Sequence, residues 1–555
     1  MILVSPAASA GDLQQLIDAA VARGEKTVTL PAGEHRLARG LRLDGLSDFT
    51  LDGTGATLVF TDLRDGGLLV TDCHGLTLRG FTMDFDPLPF TQATVDTIDP
   101  EKGEVTFTVQ EGYPDLAPHH LGGRALAFSP ETLDWKTSAP DIFANEAQAL
   151  DARRGVLKFS PEKKQTLAAL SPGDYLVLDF RNARGLRIER CENVRVEDVT
   201  FWSAPSIAVI CRFMDGDNYF RYRITRGPKP PGATVPRLLS TSADGMNYAY
   251  ARKGPVIENC DFAHMGDDSV NLHGIAFYVA RVDGNVIYLL RPYGREAFPS
   301  VIKPGDEVLG LAPDSFDGKG RAKVASFAIE KNPPEDFSPL AAKVWKSKAV
   351  KRGKLTVYRL EVTGPLGVQA GDFLEIPAIA APGYVIRNNH FHHHRGRGLR
   401  LMSSHGLVEG NTLEDIKQAA ISLGPEYTFF REAGWVRDVT VRNNTIRRVG
   451  FDPIMHLPQT HVPGAISVFH RGETPAAPRP KMRNESIRIV GNTIGETGGP
   501  AIHIAQARDV EVRGNRIGST NLVGKPGTGS LQGLTADKPV VVEHSEAVTV
   551  TEEAP

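Results

Sequence analysis

Three aspartates stand at a spacing that could gather them around one bond. Asp244 lies in SADGMN, and the adjacent pair Asp267 and Asp268 lies in MGDDSVNLHG, 23 and 24 residues further on. An aspartate beside glycine is commonly a turn residue, and that reading suffices for Asp244 taken alone. It suffices less well for two adjacent aspartates between Gly266 and the alternating run SVNLHG. Neighbours in a strand point to opposite faces, so both carboxyls share a face only in a turn or bulge. If one coil of the chain takes this number of residues, Asp244 stacks beside the pair. Three carboxyls on one wall can supply an acid, a base and a field that separates their pKa values, which is what hydrolysis of a glycosidic bond needs. Calcium is the competing ligand for such a trio, since it too takes oxygen donors.

Other residues could serve the same chemistry. Asn247, Asn271 and His273 alternate around the trio and can donate hydrogen bonds to sugar hydroxyls or tune the carboxyls. Arg252 and His264 lie in the same stretch, and His264 reads equally well as a solvated turn residue. Arg397 sits between two glycines in RGRGLRL, which would let its guanidinium approach a ligand closely. Glu426, in GPEYTFFREAG, has Tyr427, Phe429 and Phe430 for company. That is either a sugar-binding face or a surface loop with an aromatic plug. Asp215 and Asp217, in MDGDNY, read as a cation site or as an exposed turn. His392, His393 and His394 are consecutive, so in a strand they diverge and are not expected to share a metal. There is no CxxC spacing for structural zinc. The expected chemistry requires no metal and no cofactor.

A repeat supplies the elements that would position these groups. Asn389-His390-Phe391 recurs as Asn411-Thr412-Leu413, Asn444-Thr445-Ile446, Asn492-Thr493-Ile494 and Asn515-Arg516-Ile517, with 22 residues between the first two and 23 between the last two. Asparagine suits a tight turn, and the apolar residue after it points inward. Short strands at this period predict an all-β, right-handed parallel β-helix, not a propeller of ~40–50-residue blades. Residues 11 to 23 predict a helix with Leu13, Leu16, Ile17 and Ala20 on one face, placed to cap the open end. Alternating strands interrupt the coil twice, and the phrases GDYLVL, GDEVLGL and GDFLEI mark related turns. These are expected to be small antiparallel β-barrels, the second forming a wall of the groove. The expected organisation is a cap with first rungs at 1–95, an inserted barrel at 96–178, central rungs with the aspartates at 179–275, a second barrel at 276–380, and C-terminal rungs with a tail at 381–555.

Bulk properties narrow the partners. The 555 residues carry 63 basic and 66 acidic side chains, a formal net charge of −3. Nothing there suggests a polyanion surface, so no nucleic acid is expected. No apolar run reaches ~20 residues, so no membrane span is expected. The four cysteines, Cys73, Cys191, Cys211 and Cys260, read as buried small hydrophobes. The opening MILVSPAASAGD has an apolar patch and an AxA-like site but no basic n-region, so location stays open.

The phrases PAGEHRL…LDGTGATLVF, DPLPFTQATVD, GDDSVNLHG and NNHFHHHRGRGLRL…GNTLEDIKQAAISLG…REAGWVRDVTVRNNTI together resemble glycoside hydrolase family 110, the bacterial exo-acting α-1,3-galactosidases. The resemblance implies a β-helix with inserted barrels, terminal α-galactoside glycans as substrates, and an inverting mechanism using Asp244, Asp267 and Asp268. It implies Asp267 as the acid, with Asp244 and Asp268 handling the water, and Arg397 and Glu426 as sugar-binding residues. It favours a secreted or periplasmic location over a cytoplasmic one. Phe430 falls where the family pattern has a tryptophan. A β-helix glycosidase for another α-linked sugar or a uronic-acid polymer, and a non-catalytic glycan-binding solenoid, stay open beside it. So does a homodimer.

Overall fold

The computed structural model describes residues 10–181, 183–291, 297–345, 355–427, 430–452, 464–470, 481–523 and 538–551. Its scaffold is a parallel β-helix. One wall stacks eleven short parallel strands, from Leu41–Asp44 through Leu186–Glu189, Val209–Arg212, Met246–Ala249, Val270–His273 and Leu399–Met402 to Val540–Glu543. Two further walls, joined through strands long enough to bend between them, make a 21-stranded sheet. The interior is a largely aliphatic stack in strict register, with one cysteine and one tyrosine in it: Leu43, Val70, Ile188, Cys211, Tyr248, Leu272, Leu401, Leu423, Val468 and Ile504 follow one another rung by rung. Each is buried, so every rung covers the apolar face its neighbour cannot cover alone. All four cysteines are free and buried, as small hydrophobes.

The repeating asparagines form a ladder at one corner. The Nδ2 groups of Asn389, Asn411, Asn444 and Asn492 each donate to the Oδ1 of the next asparagine at 2.9 Å, ending on Asn515. Their backbone N–H groups donate to the same oxygens. Left-handed backbone falls on the preceding residue, Asn388, Gly410, Asn443, Gly491 or Gly514. The asparagine itself therefore serves by hydrogen bonding.

Helix Ala10–Ala22 packs Leu13, Ile17 and Ala20 onto the first rung. Gln14 pairs with both the N–H and the C=O of Arg42 on the exposed strand edge, which removes a template for edge pairing. No helix among the described residues is long and apolar enough to cross a membrane.

Two antiparallel units leave the coil. The first is a seven-stranded sheet running from Phe90–Asp99 to Tyr175–Asp179, whose edge strands are Ile142–Phe143 and Glu146–Ala149. Residues 144 and 145 alone join those edges, so the sheet must curl on itself. The second is a closed six-stranded barrel between Ala276–Asp283 and Phe373–Glu375. The eleven-stranded wall lies between them. The first unit rejoins the coil just before strand Leu186–Glu189, and the second departs just after Val270–His273. In a parallel wall these are opposite edges, so one insertion stands at each side of the same floor.

Candidate active site

Register brings the three aspartates together at the edge of the floor nearer the first insertion. Met246 pairs with Val270 and Val270 with Leu399, which stacks Asp244, Asp268 and Arg397, each two residues before its strand. Backbone bonds continue the stack: Gly245 N–H donates to Asp268 C=O at 2.9 Å and Ser269 N–H to Arg397 C=O at 3.0 Å. Gly396 faces the Asp267 backbone, where a Cβ would meet the carbonyl carbon at 2.3 Å. The glycine before Arg397 is therefore needed for close approach of two rungs.

The three carboxyls have different surroundings. Asp268 is almost fully buried and accepts from Arg397 Nε at 3.0 Å, Nη2 at 2.7 Å and the Arg397 N–H at 2.7 Å. Arg397, expected to grip a sugar, has its guanidinium committed to this carboxylate. Asp267 accepts from Arg395 Nη1 at 2.7 Å and Arg181 Nη1 at 3.0 Å, one guanidinium on each oxygen. Burial opposes its ionisation, but Arg395, Arg181, Arg124 and Arg397 outweigh it and hold the carboxyl well below the usual range. Asp244 is the reverse case. Burial, then the charges of Asp267 and Asp268, push its pKa far up. Of these two carboxyls it is Asp244 that is pushed up and Asp267, which the resemblance implied as the acid, that is held down, because Asp267 has two cations on it.

The arginines on Asp267 reach back to the first insertion. Arg395 is also paired with Asp141, and Arg181 with Asp179, which in turn holds Arg124. Arg181, Arg395 and Asp141 were not among the residues singled out from sequence.

The floor beyond the aspartates is polar yet buried. Asn247, Asn271, Arg400 and Ser422 line up across four rungs. Asn247 Nδ2 donates to Asp244 Oδ2 at 3.1 Å, and its Oδ1 lies 3.3 Å from His273 Nε2. His273 Nδ1 meets Gly274 C=O at 2.8 Å, and burial, with Arg212 beside it, lowers its pKa to about 3. A neutral ring that donates from Nδ1 presents only a lone pair at Nε2, so Asn247 is held against Asp244 by its own Nδ2 donation and not by the histidine. Asn271 Oδ1 and Arg400 Nη2 are buried and have no hydrogen-bond partner. A neighbouring acceptor and donor suit a hydroxyl, which can donate to one and accept from the other. Arg400 was also missed, although it stands in the same RGRGLRL phrase.

Two glutamates close the far edge. Glu426 and Glu432 exchange backbone hydrogen bonds at 3.0 and 2.9 Å, and Glu432 Oε1 lies 3.6 Å from His273 Nε2. Burial and the charge of Glu426 raise Glu432 to about 7. Tyr427 is not a sugar face: it is fully buried, stacks on Phe316 and donates to Glu375 of the barrel. It plugs the loop onto the second insertion. Phe430 is exposed, and Phe429 lies outside the described residues.

The raised Glu432 has a measurable sign. Between pH 4.5 and about 7 the folded chain binds this proton and the unfolded chain releases it, so its contribution to stability falls as pH rises through that window. Wild type should lose stability relative to Glu432→Gln over this range, read as diverging urea midpoints. Parallel midpoints would contradict the assignment.

The remaining candidates lie elsewhere. Arg252 pairs with Asp306 of the barrel. His264 meets Arg226 at 2.9 Å. Asp215 pairs with Lys303 and Asp217 with Lys253, so lysines occupy the place proposed for a cation. His394 is buried on Ser269, whereas His392 meets His390 and Asp261, a convergence that reading consecutive histidines did not foresee.

No family model matches the chain. Among curated proteins it is similar to α-1,3-galactosidase B of Bacteroides thetaiotaomicron, 26% identical over 477 residues that take in 81% of this chain and 70% of that protein. It is 24% identical to α-1,3-galactosidase B of Akkermansia muciniphila over 73% of this chain, and spans 49% of that protein. It is 23% identical to α-1,3-galactosidase A of B. thetaiotaomicron, over 75% of this chain and 70% of that protein. Over most of its length the chain is thus a distant homologue of α-1,3-galactosidases, and through them of glycoside hydrolases, in keeping with its resemblance to family 110.

Proposed function

We propose that the chain is an exo-acting, inverting glycoside hydrolase that releases terminal α-1,3-linked galactose. The observation that carries this reading is the split between the aspartates, with Asp244 buried and paired with no cation among the described residues, stacked in register beside two ion-paired carboxyls at the edge of a buried polar floor. In the proposed reaction Asp244 protonates the glycosidic oxygen as the bond to the anomeric carbon breaks. Water attacks the opposite face and gives its proton to Asp267, which its arginines hold ionised, with Asp268 beside it. Asn271, Arg400, Glu426 and Glu432 hold the hydroxyls of the departing sugar. Insertions at both edges of the floor support a closed pocket and hence action at chain ends.

The unpartnered Nη2 of Arg400 gives some support to a uronic acid instead. Glu426 and Glu432, whose charges act on Arg400, argue for a neutral hexose. The test is product analysis on terminal α-1,3-, α-1,4- and α-1,6-galactosides beside an α-galacturonide, with the anomer followed by NMR. Selective cleavage of the α-1,3 substrate with β-galactose appearing first is expected. Release of α-galactose first would contradict inversion, and preference for the galacturonide would move the substrate class.

A further inference from the structure

A second cluster of ligand side chains lies on another wall of the coil, away from the floor. Register sets Asp261 beside His390, and His392 beside Glu414, on strands Asp261–Ala263, His390–His394 and Thr412–Ile416. His390 and His392 are two apart and so share a face, with ring centroids 4.0 Å apart. His390 Nδ1 lies 3.8 Å, and His392 Nε2 2.9 Å, from the same Oδ1 of Asp261. One ligand atom from each of the three residues lies within 4.8 Å of the other two. Zinc bonds of ~2.0–2.2 Å set ligand atoms about 3.3 Å apart, so a small splay of the two rings suffices.

The outward nitrogens are already held. His390 Nε2 meets Glu414 Oε1 at 2.8 Å, and His392 Nδ1 meets His393 Nδ1 at 2.8 Å. The His393 Nε2 faces Asp415 at 3.6 Å and Asp134 at 3.8 Å. A metal-bound imidazole characteristically has its other nitrogen fixed by such a partner, which sets the tautomer and leaves the ligating lone pair free. Nearby cations are engaged with the remaining oxygens: Arg223 lies 3.5 Å from Asp261 Oδ2, and Arg447 and Arg448 bind Glu414 Oε2 at 2.5 and 2.9 Å. That leaves Asp261 Oδ1 facing the two rings. Asp261 and His390 are each about 40% exposed, so an ion can enter from solvent.

We propose that Asp261, His390 and His392 bind one divalent transition-metal ion of the zinc class, with water completing its shell. Two imidazoles and a carboxylate favour such an ion over calcium or magnesium, which take all-oxygen cages. The ion joins the rungs of Asp261 and His390, and Glu414 ties in a third. The site does not depend on the galactosidase reading.

The test uses the full chain, stripped with a chelator and desalted. Titration with cobalt(II) chloride should give visible d–d absorption that saturates at one ion per chain, and zinc sulfate should abolish it by displacement. Calorimetry with zinc should show binding lost in Asp261→Ala and His390→Ala, and weakened about 10- to 100-fold in Glu414→Gln. His405→Ala, at an exposed histidine paired with Asp438, should bind as wild type does. Absence of the cobalt band in the wild-type chain overturns the proposal, whatever the variants do. So does undiminished one-to-one zinc binding in Asp261→Ala and His390→Ala.

Discussion

Replacing Asp244 with asparagine should lower kcat/KM on an unactivated α-1,3-galactoside by at least about 100-fold, the usual worth of a positioned proton donor. Galactosyl fluoride or a dinitrophenyl galactoside, whose leaving groups need no proton, should recover most of that loss. Asp267→Asn should be inactive on both, because it removes a charge from the water side. The two arginines on Asp267 and the burial of Asp244 set this order. If the activated substrate rescues Asp267→Asn and not Asp244→Asn, the roles revert to those the family resemblance implies. Binding of a sugar would then have to draw the guanidiniums away from Asp267.

Removing the Arg397 guanidinium should cost about 3–5 kcal/mol of stability, since it leaves a buried carboxylate without its cation. Asp268 keeps only the N–H of residue 397 once the two side-chain bonds go. Arg397→Lys should recover little, because an ammonium cannot reproduce the forked pairing. The double variant Asp268→Asn, Arg397→Met should regain much of the stability and none of the activity. Urea midpoints measure all four proteins. A loss below about 1 kcal/mol in Arg397→Ala would show that the carboxylate is not confined as described, and would return Arg397 to the sugar-binding role its flanking glycines first suggested.

The coil was legible because its packing is local. The later rungs repeat an asparagine followed two residues later by an inward apolar side chain, and only neighbouring rungs need match. The aspartate trio was legible for the same reason, since 244 to 268 is one rung. Arg181 and Asp141 were not. They reach Asp267 and Arg395 from an insertion folded across the edge of the floor, and no period connects residues 86 and 254 positions apart in this way. Tyr427 misled because aromatic composition cannot tell a sugar platform from a plug, and only the barrel's Phe316 and Glu375 decide between them. His390 was overlooked because three consecutive histidines drew attention to neighbours, whereas a strand aligns alternate residues.

The asparagine ladder has an evolutionary consequence. Its members are 22, 33, 48 and 23 residues apart along the chain, yet each amide meets the next at one distance. The pitch of the coil is therefore decoupled from contour length. Segments such as the one carrying Glu426 and Glu432 can lengthen, shorten or be exchanged while the spine keeps its step. New substrate preferences can then be grafted at one rim without rewinding the molecule beneath them.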